Sequence, residues 1–130
     1  MTPAEYLDSV KERLLADSVV AGFQVRRERH TATDGHLRVR VSLVDGSLLE
    51  FSEYAERTPD GQMQVAVYSY HWESEDGKLI YRWDNTPHFP DLPAFPHHVH
   101  DGRTGATLPG KPMDIFAVLD HIGQAVGEGS

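Results

Sequence analysis

Hydrophobic and polar residues alternate with a period of two along most of the chain between residues 20 and 84. Such alternation is typical of β-strands that bury one face. Four Asp-Gly dipeptides interrupt it, and this dipeptide favours the positive φ angles of tight hairpin turns. The dipeptides begin at Asp34, Asp45, Asp60 and Asp76. They predict five strands, over residues 21–32, 37–44, 47–57, 63–73 and 78–84, in an antiparallel meander, because no connection is long enough for parallel pairing.

Helical periodicity replaces this alternation at both ends of the chain. Thr2, Pro3 and Glu5 match an N-cap, a first-turn proline and a capping-box partner. Apolar residues then recur at helical spacing, which predicts a helix over residues 3–16. Near the other end, Pro112 is expected to open a second helix with one apolar side. That side contains Ile115, Phe116, Leu119 and Ile122.

These elements predict an α+β fold, with a five-stranded antiparallel meander and the N-terminal and C-terminal helices packed on one of its faces. A long loop rich in proline and histidine, residues 85–111, separates the last strand from the second helix. The 130 residues are expected to form one domain over residues 1–126. Residues 127–130 are expected to form a disordered tail.

The turns also predict which side chains share a face of the sheet. A two-residue loop at Asp76-Gly77 would place His71 opposite Arg82 and Ser69 opposite Asp84, whereas a three-residue loop with a glycine bulge would mix the two faces. The first register is preferred because it separates polar from apolar side chains. Its apolar face contains Tyr68, Tyr70, Trp72, Leu79, Tyr81 and Trp83.

The same argument places basic residues on the opposite face. A three-residue loop at residues 44–46 sets Leu49 and Phe51 beside the apolar residues of the second strand. A two-residue loop at Asp34-Gly35 then aligns five basic side chains on the polar face: Arg27, Arg29, His36, Arg38 and Arg40. The sheet is therefore expected to have an apolar side for the helices and a side rich in arginine and histidine.

The composition excludes several classes of function. The chain has no cysteine, and so it has no disulfide, no cysteine-based zinc site and no thiol nucleophile. Its formal net charge of −8 argues against general binding of polyanions, although five of its twelve basic residues lie between Arg26 and Arg40. No apolar run is long enough to span a membrane and the polar N-terminus is unlike a signal peptide, so the expected location is cytoplasmic.

Five of the eight histidines and both tryptophans lie within residues 69–100. Histidine transfers protons near neutral pH, and it is also the commonest metal ligand. In an extended loop, His98 and His100 would point the same way and could share a metal ion with His88, Asp84 or Asp91. The histidines of residues 97–100 could instead act in catalysis or contact a nucleic acid, or they could be part of a loop without a functional role.

The cross-strand pair of His71 and Arg82 is the candidate with the clearest chemistry. An arginine fork neutralises a phosphate, and an adjacent histidine can act as a general acid or base on a hydroxyl. The alternative is an exposed pair held by Glu73 and Asp84 through salt bridges of about 0 to 1 kcal/mol. The aromatic residues of the same strands could stack on bases, but they are interpreted as core.

Two segments of the chain resemble the TumE-like family of small prokaryotic toxins. They are VSLVDGSLLEFSEY and YSYHWESEDGKLIYRWDNTPHFPDLPAFPHHVH, and the resemblance covers roughly residues 19–100 with a shorter helical match at the C-terminus. It implies a toxin that is encoded beside an antitoxin, is neutralised by direct binding and acts on RNA. The residues carried over by motif are His71, Arg82, Asp84, Asn85, His88, His97, His98 and His100.

These observations predict a toxin with metal-independent endoribonuclease chemistry and no cofactor. Either His71 or a histidine of residues 97–100 removes the 2′-hydroxyl proton, Arg82 stabilises the pentacoordinate phosphate, and a second histidine protonates the leaving oxygen. The catalytic candidates are His71, Arg82, Asp84, His88, His97, His98 and His100. The substrate-binding candidates are Arg27, Arg29, Arg38, Arg40 and Asn85.

Two alternatives belong to other classes. One is a metal-dependent hydrolase in which His88, His98 and His100 hold the ion together with Asp84. The other is a binding module without catalysis, whose histidine loop docks a protein partner. The expected partners are a cognate antitoxin and an RNA substrate, with no membrane, in a homodimer or a toxin–antitoxin hetero-oligomer.

Overall fold

Two helices and one antiparallel sheet make up the structure, a computed structural model that describes residues 1–128. The helices are α1 (Pro3–Ala16) and α2 (Ile115–Glu128). The strands are β1 (Val20–His30), β2 (Asp34–Leu43), β3 (Leu48–Arg57), β4 (Met63–Glu73), β5 (Leu79–Asp84), β6 (His98–Asp101) and β7 (Thr107–Pro109). They lie side by side in chain order, which confirms the α+β class and the meander. Neither helix of the described chain is long and apolar enough to cross a membrane.

The sheet has seven strands, so the prediction of five was wrong. Its last two strands, β6 and β7, fall inside the segment that was predicted to be one long loop. The prolines that precede β6 end at Pro96, and alternation resumes in β6, which pairs with the free edge of β5. Pro109, the remaining proline of the segment, is the last residue of β7. A strand of four residues carries too short an alternation to be distinguished from a loop by sequence alone.

The first hairpin does not turn at Asp34-Gly35, because both residues belong to β2. The connection is residues 31–33, where the Thr31 N–H donates to the Asp34 carbonyl at 2.8 Å and His30 lies opposite Gly35. Near the turn, the observed register differs from the predicted one by four residues. Because this number is even, the predicted basic face is kept, with Arg27 opposite Arg38.

The last hairpin reaches the predicted register through a different turn. Its loop has three residues and ends at Gly77, whose φ is +84°, and Ser74 bonds across it to the Lys78 carbonyl. One extra residue, Ile80, then forms a bulge and restores the pairing of His71 with Arg82. The bulge also means that Ile80, rather than the predicted Leu79, packs against the core.

Helix α1 has the predicted bounds and the predicted capping box between Thr2 and Glu5. Helix α2 begins at Ile115 rather than at Pro112, because the Asp114 carboxylate accepts from the Ala117 N–H at 2.9 Å and caps the first turn. This helix includes residues 127 and 128 of the predicted tail, while residues 129 and 130 lie outside the described residues. The single domain over residues 1–126 stays a prediction.

Both helices contribute to one hydrophobic core on the apolar face of the sheet. The largest fully buried side chains of this core include Tyr70, Phe51, Leu7, Leu14, Leu37, Leu49, Ile115, Leu119 and Ile122. The aromatic residues Tyr68, Trp72 and Trp83 are buried here as well, which confirms their interpretation as core. Within residues 1–128, neither helix packs on the opposite face of the sheet, which carries polar side chains.

A buried carboxylate ties the helices to the sheet. Glu53 of β3 is 1% exposed and lies on the apolar face. It accepts hydrogen bonds from the hydroxyls of Tyr6 at 2.6 Å and Tyr70 at 2.7 Å, and from the Ile115 N–H at 2.7 Å. These donors belong to α1, β4 and the N-terminus of α2. One side chain therefore fixes four elements relative to one another, at a helix end that favours negative charge.

Replacing Glu53 by alanine is expected to lower the free energy of unfolding by about 3 kcal/mol, because three buried donors lose their partner. Chemical denaturation monitored by tryptophan fluorescence measures this loss. Glu53→Gln keeps an acceptor and should lose less. Glu56→Ala, an exposed position on the same strand, is the matched control and should lie within about 0.5 kcal/mol of the wild type. Equal stability of the Glu53→Ala and Glu56→Ala variants would contradict the role of this network.

The same residue predicts a dependence of stability on pH. Burial raises the pKa of Glu53, against the opposing effect of its three hydrogen bonds. With the folded-state pKa above that of the unfolded chain, its stabilising contribution is complete below about pH 4.3 and is lost as the pH rises through the folded-state pKa. The free-energy difference between the wild type and Glu53→Gln should therefore fall as the pH rises above about 4.3. A difference that grows with pH would show that the folded-state pKa is lowered.

Candidate functional site

Two rows of polar side chains run across the exposed face of the sheet. Cross-strand pairing aligns them, so that each row takes one residue from each of the seven strands. The first row is Gln24, Arg40, Glu50, His71, Arg82, His100 and Thr107. The second row is Arg27, Arg38, Ser52, Ser69, Asp84, His98 and Pro109. Residues far apart in the chain thus meet on one surface.

A depression lies where the two rows pass the middle strands. Ser52 and Ser69 are short side chains between Arg38 on one side and His71 and Arg82 on the other. The cavity that they leave has a volume of about 450 Å³. Glu50 also lines it, 3.8 Å from Arg38. Guanidinium groups nevertheless reach its rim from two directions, and they suit an anionic group with an adjacent hydroxyl.

His71 and Arg82 form the predicted pair at the edge of this cavity. Arg82 Nη1 lies 3.4 Å from His71 Nδ1, and because a guanidinium can only donate, Nδ1 is the acceptor. The other ring nitrogen, Nε2, lies 3.6 Å from a Glu73 carboxylate oxygen. The side chains of His71 and Arg82 are 33% and 39% exposed, so that both are accessible to a ligand.

Asp84 lies in the second row on β5, where several polar groups surround its carboxylate. Its side chain is 5% exposed, and it accepts from Arg82 Nε at 3.1 Å and from the Thr86 N–H at 3.1 Å. His98 Nε2 lies 2.8 Å from one Asp84 oxygen, and His100 Nε2 lies 3.8 Å from the other. We call these three residues, Asp84, His98 and His100, the Asp84 cluster. Their ligand atoms lie within 4.8 Å of one another.

The two histidines of the Asp84 cluster differ in exposure. His98 is 2% exposed, and its Nδ1 lies 2.9 Å from the Pro96 carbonyl oxygen. His100 is 30% exposed, and its Nδ1 lies 3.3 Å from the Thr107 hydroxyl. Burial lowers the pKa of His100 despite the opposing charge of Asp84. Because it is partly exposed, His100 can contact a substrate on the polar face, whereas the buried His98 cannot.

The structure separates the remaining predicted histidines from this cluster. His97 lies at the other side of the sheet, where its Nδ1 is 2.8 Å from the Tyr68 hydroxyl and its ring stacks on the Tyr68 ring. His88 is exposed in the loop before β6 and contacts the Phe89 ring edge-on. Asn85 uses its side-chain amide to bond the backbone of Ala66 and Tyr68, so that it connects β4 to the end of β5.

The basic stripe, which we define as Arg26, Arg27, Arg29, Arg38 and Arg40, occupies the polar face of β1 and β2. Arg27 and Arg38 lie directly opposite each other. Burial, together with the charges of these arginines, lowers the pKa of neighbouring His36. Within residues 1–128, Arg38 is the one member with a carboxylate oxygen within 4 Å, from Glu50 at 3.8 Å. Directly opposed like charges destabilise a sheet, so an uncompensated stripe is expected to bind anions.

Several residues of the site were missed by the sequence reasoning. Thr107 belongs to β7, which was not predicted, and the two cavity serines carry no chemical signature of their own. Phe89 packs its ring against His98 and His100 at centroid distances of 5.0 and 5.9 Å. Its position among prolines gave no sign of this contact, which depends on the folding of the loop back over β6.

The sequence of the chain matches a known protein family. The family model for the toxin TumE matches residues 10–128, which includes every strand, all of α2 and the second half of α1. The chain therefore belongs to the TumE toxin family. No curated protein and no solved structure gives a significant match. The predicted resemblance is confirmed, including its match at the C-terminal helix, and the match also takes in residues 10–18 and the segment between residue 100 and α2.

Proposed function

We propose that this member of a toxin family is an endoribonuclease that acts by general acid and base catalysis and is neutralised by a protein antitoxin. The observation that carries the proposal is the row of His71, Arg82 and His100, in which one arginine lies between two accessible histidines. Two proton-transfer groups on either side of a phosphate ligand are what cleavage by an internal hydroxyl requires.

The proposed reaction uses the 2′-hydroxyl of the substrate as the nucleophile. Arg82 turns from His71 Nδ1 to the phosphate, where it stabilises the charge of the pentacoordinate phosphorus. The freed Nδ1 accepts the proton from the 2′-hydroxyl as the 2′-oxygen attacks the phosphorus. His100 donates a proton to the 5′-oxygen as its bond to phosphorus breaks. The products are a 2′,3′-cyclic phosphate and a free 5′-hydroxyl, so that no water, metal ion or cofactor enters this step.

The basic stripe supports the binding of a chain of phosphates. Arg38 lies at the edge of the cavity beside His71, and the other members of the stripe continue from it toward the edge of the sheet. An RNA strand with its scissile phosphate at Arg82 would place neighbouring phosphates over these arginines. Their local concentration offsets the net negative charge of the protein as a whole.

Induced expression without a partner is expected to arrest growth, and His71→Ala or Arg82→Ala should relieve the arrest. Each variant removes a group of the proposed reaction from an accessible site, so the fold should persist. Growth curves and immunoblots at matched abundance provide the measurement. His30→Ala and Arg57→Ala, at exposed strand ends away from the cavity, are the matched controls and should remain toxic. Full toxicity of both site variants would show that the site lies elsewhere.

A 2′-deoxy substitution at the cleaved linkage is expected to abolish cleavage of a short RNA, because the proposed nucleophile is then missing. Mass spectrometry of the products from the unmodified RNA should find 2′,3′-cyclic phosphate ends, and EDTA should leave the rate unchanged. The same deoxy substitution at a linkage that is not cleaved is the control. Undiminished cleavage of the deoxy linkage would exclude this mechanism.

The antitoxin is proposed to cover the basic stripe with an acidic segment. Charge complementarity of this kind speeds association and makes it sensitive to salt. The triple substitution Arg27→Glu, Arg29→Glu and Arg40→Glu should therefore weaken the complex with the protein encoded beside the toxin gene by at least about tenfold. Titration at two salt concentrations provides the measurement, and Lys78→Glu is the control. A complex that is indifferent to salt and to the triple substitution would place the interface elsewhere.

A further inference from the structure

We propose that Asp84, His98 and His100 bind one divalent transition-metal ion, of the class to which Zn²⁺ belongs. The proposal rests on the arrangement of the Asp84 cluster and does not require RNA cleavage. Among residues 1–128, this is the group of histidine and carboxylate side chains whose ligand atoms are close enough to share an ion.

The spacing of the ligand atoms suits such an ion. Nitrogen and oxygen ligands lie about 2.0–2.2 Å from zinc, which places them about 3 to 3.5 Å from one another. His98 Nε2 lies 2.8 Å from one Asp84 oxygen and His100 Nε2 lies 3.8 Å from the other, on either side of this range, and the ligand atoms of the three residues lie within 4.8 Å of one another. Rotations of the side chains would therefore bring all three ligands to one ion.

The environment of His98 Nε2 is the strongest indication of a ligand. This atom is buried and has no hydrogen-bond partner, although an Asp84 oxygen lies 2.8 Å away, outside the direction of a hydrogen bond. Because a carbonyl can only accept, the Pro96 oxygen at 2.9 Å places the hydrogen of neutral His98 on Nδ1. The Nε2 lone pair then faces a carboxylate, an arrangement that a bound cation would make favourable.

The surroundings of the cluster have the form that metal-binding histidines usually show. A histidine that binds a metal through one nitrogen donates the hydrogen of the other to a nearby oxygen, which fixes the orientation of the ring. His98 has the Pro96 carbonyl for this purpose, and His100 has the Thr107 hydroxyl. The Phe89 ring lies against both imidazoles and restricts the access of water.

The donor set favours a transition metal over magnesium or calcium. Two imidazoles and one carboxylate match the preferences of zinc and its neighbours, whereas Mg²⁺ and Ca²⁺ select oxygen ligands. Arg82 and the Thr86 N–H occupy one acceptor position on each Asp84 oxygen. A carboxylate oxygen has two such positions, and so each can still bind an ion.

The site is tested by calorimetric titration of the purified, tag-free protein with ZnCl₂ after removal of metals. We expect one ion per chain, and we expect His100→Ala and Asp84→Asn each to weaken binding by at least about tenfold, since even the loss of an outer partner weakens metal sites by that amount. His97→Ala, a neighbouring histidine on the other side of the sheet, and His30→Ala are the controls and should retain the affinity of the wild type. MgCl₂ should give no comparable binding.

Co²⁺ provides a second readout that does not depend on activity. Its visible absorption reports ligands and geometry directly, and the spectrum of the wild type should be lost in His100→Ala, a partly exposed position at which the fold should persist. Absence of Zn²⁺ binding, or equal binding by His100→Ala and His97→Ala, would overturn the proposal.

The outcome also separates this inference from the proposed endoribonuclease. A bound ion engages His100 and should inhibit cleavage by the acid–base route, with recovery in EDTA. If cleavage instead requires Zn²⁺, the metal site stands and the metal-independent mechanism fails. If no ion binds and cleavage proceeds, the metal site fails and the proposed function stands.

Discussion

Cross-strand register is the constraint on which both the core and the polar face of this protein depend. A shift by one residue in any hairpin would exchange the two faces of that strand. It would expose residues such as Phe51 and Tyr70 and turn the adjacent polar residues toward the helices. The positive φ of Gly77 and the bulge at Ile80 act together in the last hairpin, and together they place His71 beside Arg82. The same geometry that fills the core therefore assembles the two polar rows.

Two buried carboxylates, one on each face, show how the sheet supports structure and chemistry separately. Glu53 accepts hydrogen bonds from neutral donors, and these bonds are buried. Its contacts join both helices to the sheet. Asp84 is surrounded by Arg82, which can contact an anionic ligand, and by two histidines, which can bind a metal ion. Burial of a charge is costly without such partners. The first arrangement leaves nothing available for chemistry, while the second does.

Local sequence signals predicted the parts of the fold that are set by neighbouring residues. The capping box of α1, the hairpin at residues 44–46 and the alternation of β2 to β4 are of this kind. The turn at Asp34-Gly35 was wrong because Thr31 offers a competing bond to the Asp34 carbonyl, yet the faces were preserved by the even register difference.

The composition of the candidate site could be predicted only in part. His98 and His100 were expected to point the same way, and β6 aligns them with Asp84 and Arg82. A loop without periodicity separates β6 from β5 in the sequence. The residues around β6 therefore do not indicate that it pairs with β5. His97 illustrates the consequence, since one position of alternation moves it from the cluster to the ring of Tyr68.

The basic stripe places like charges opposite each other on the polar face. Arg27 and Arg38 are directly opposed, and burial together with the charges of the surrounding arginines lowers the pKa of His36. Like charges in this arrangement weaken the pairing of β1, which is an edge strand of the sheet. An anionic partner that spans the stripe would remove this repulsion and stabilise the edge at the same time. Binding of RNA and binding of an acidic antitoxin segment would both do so, and the two partners would compete for the surface that leads to Arg82.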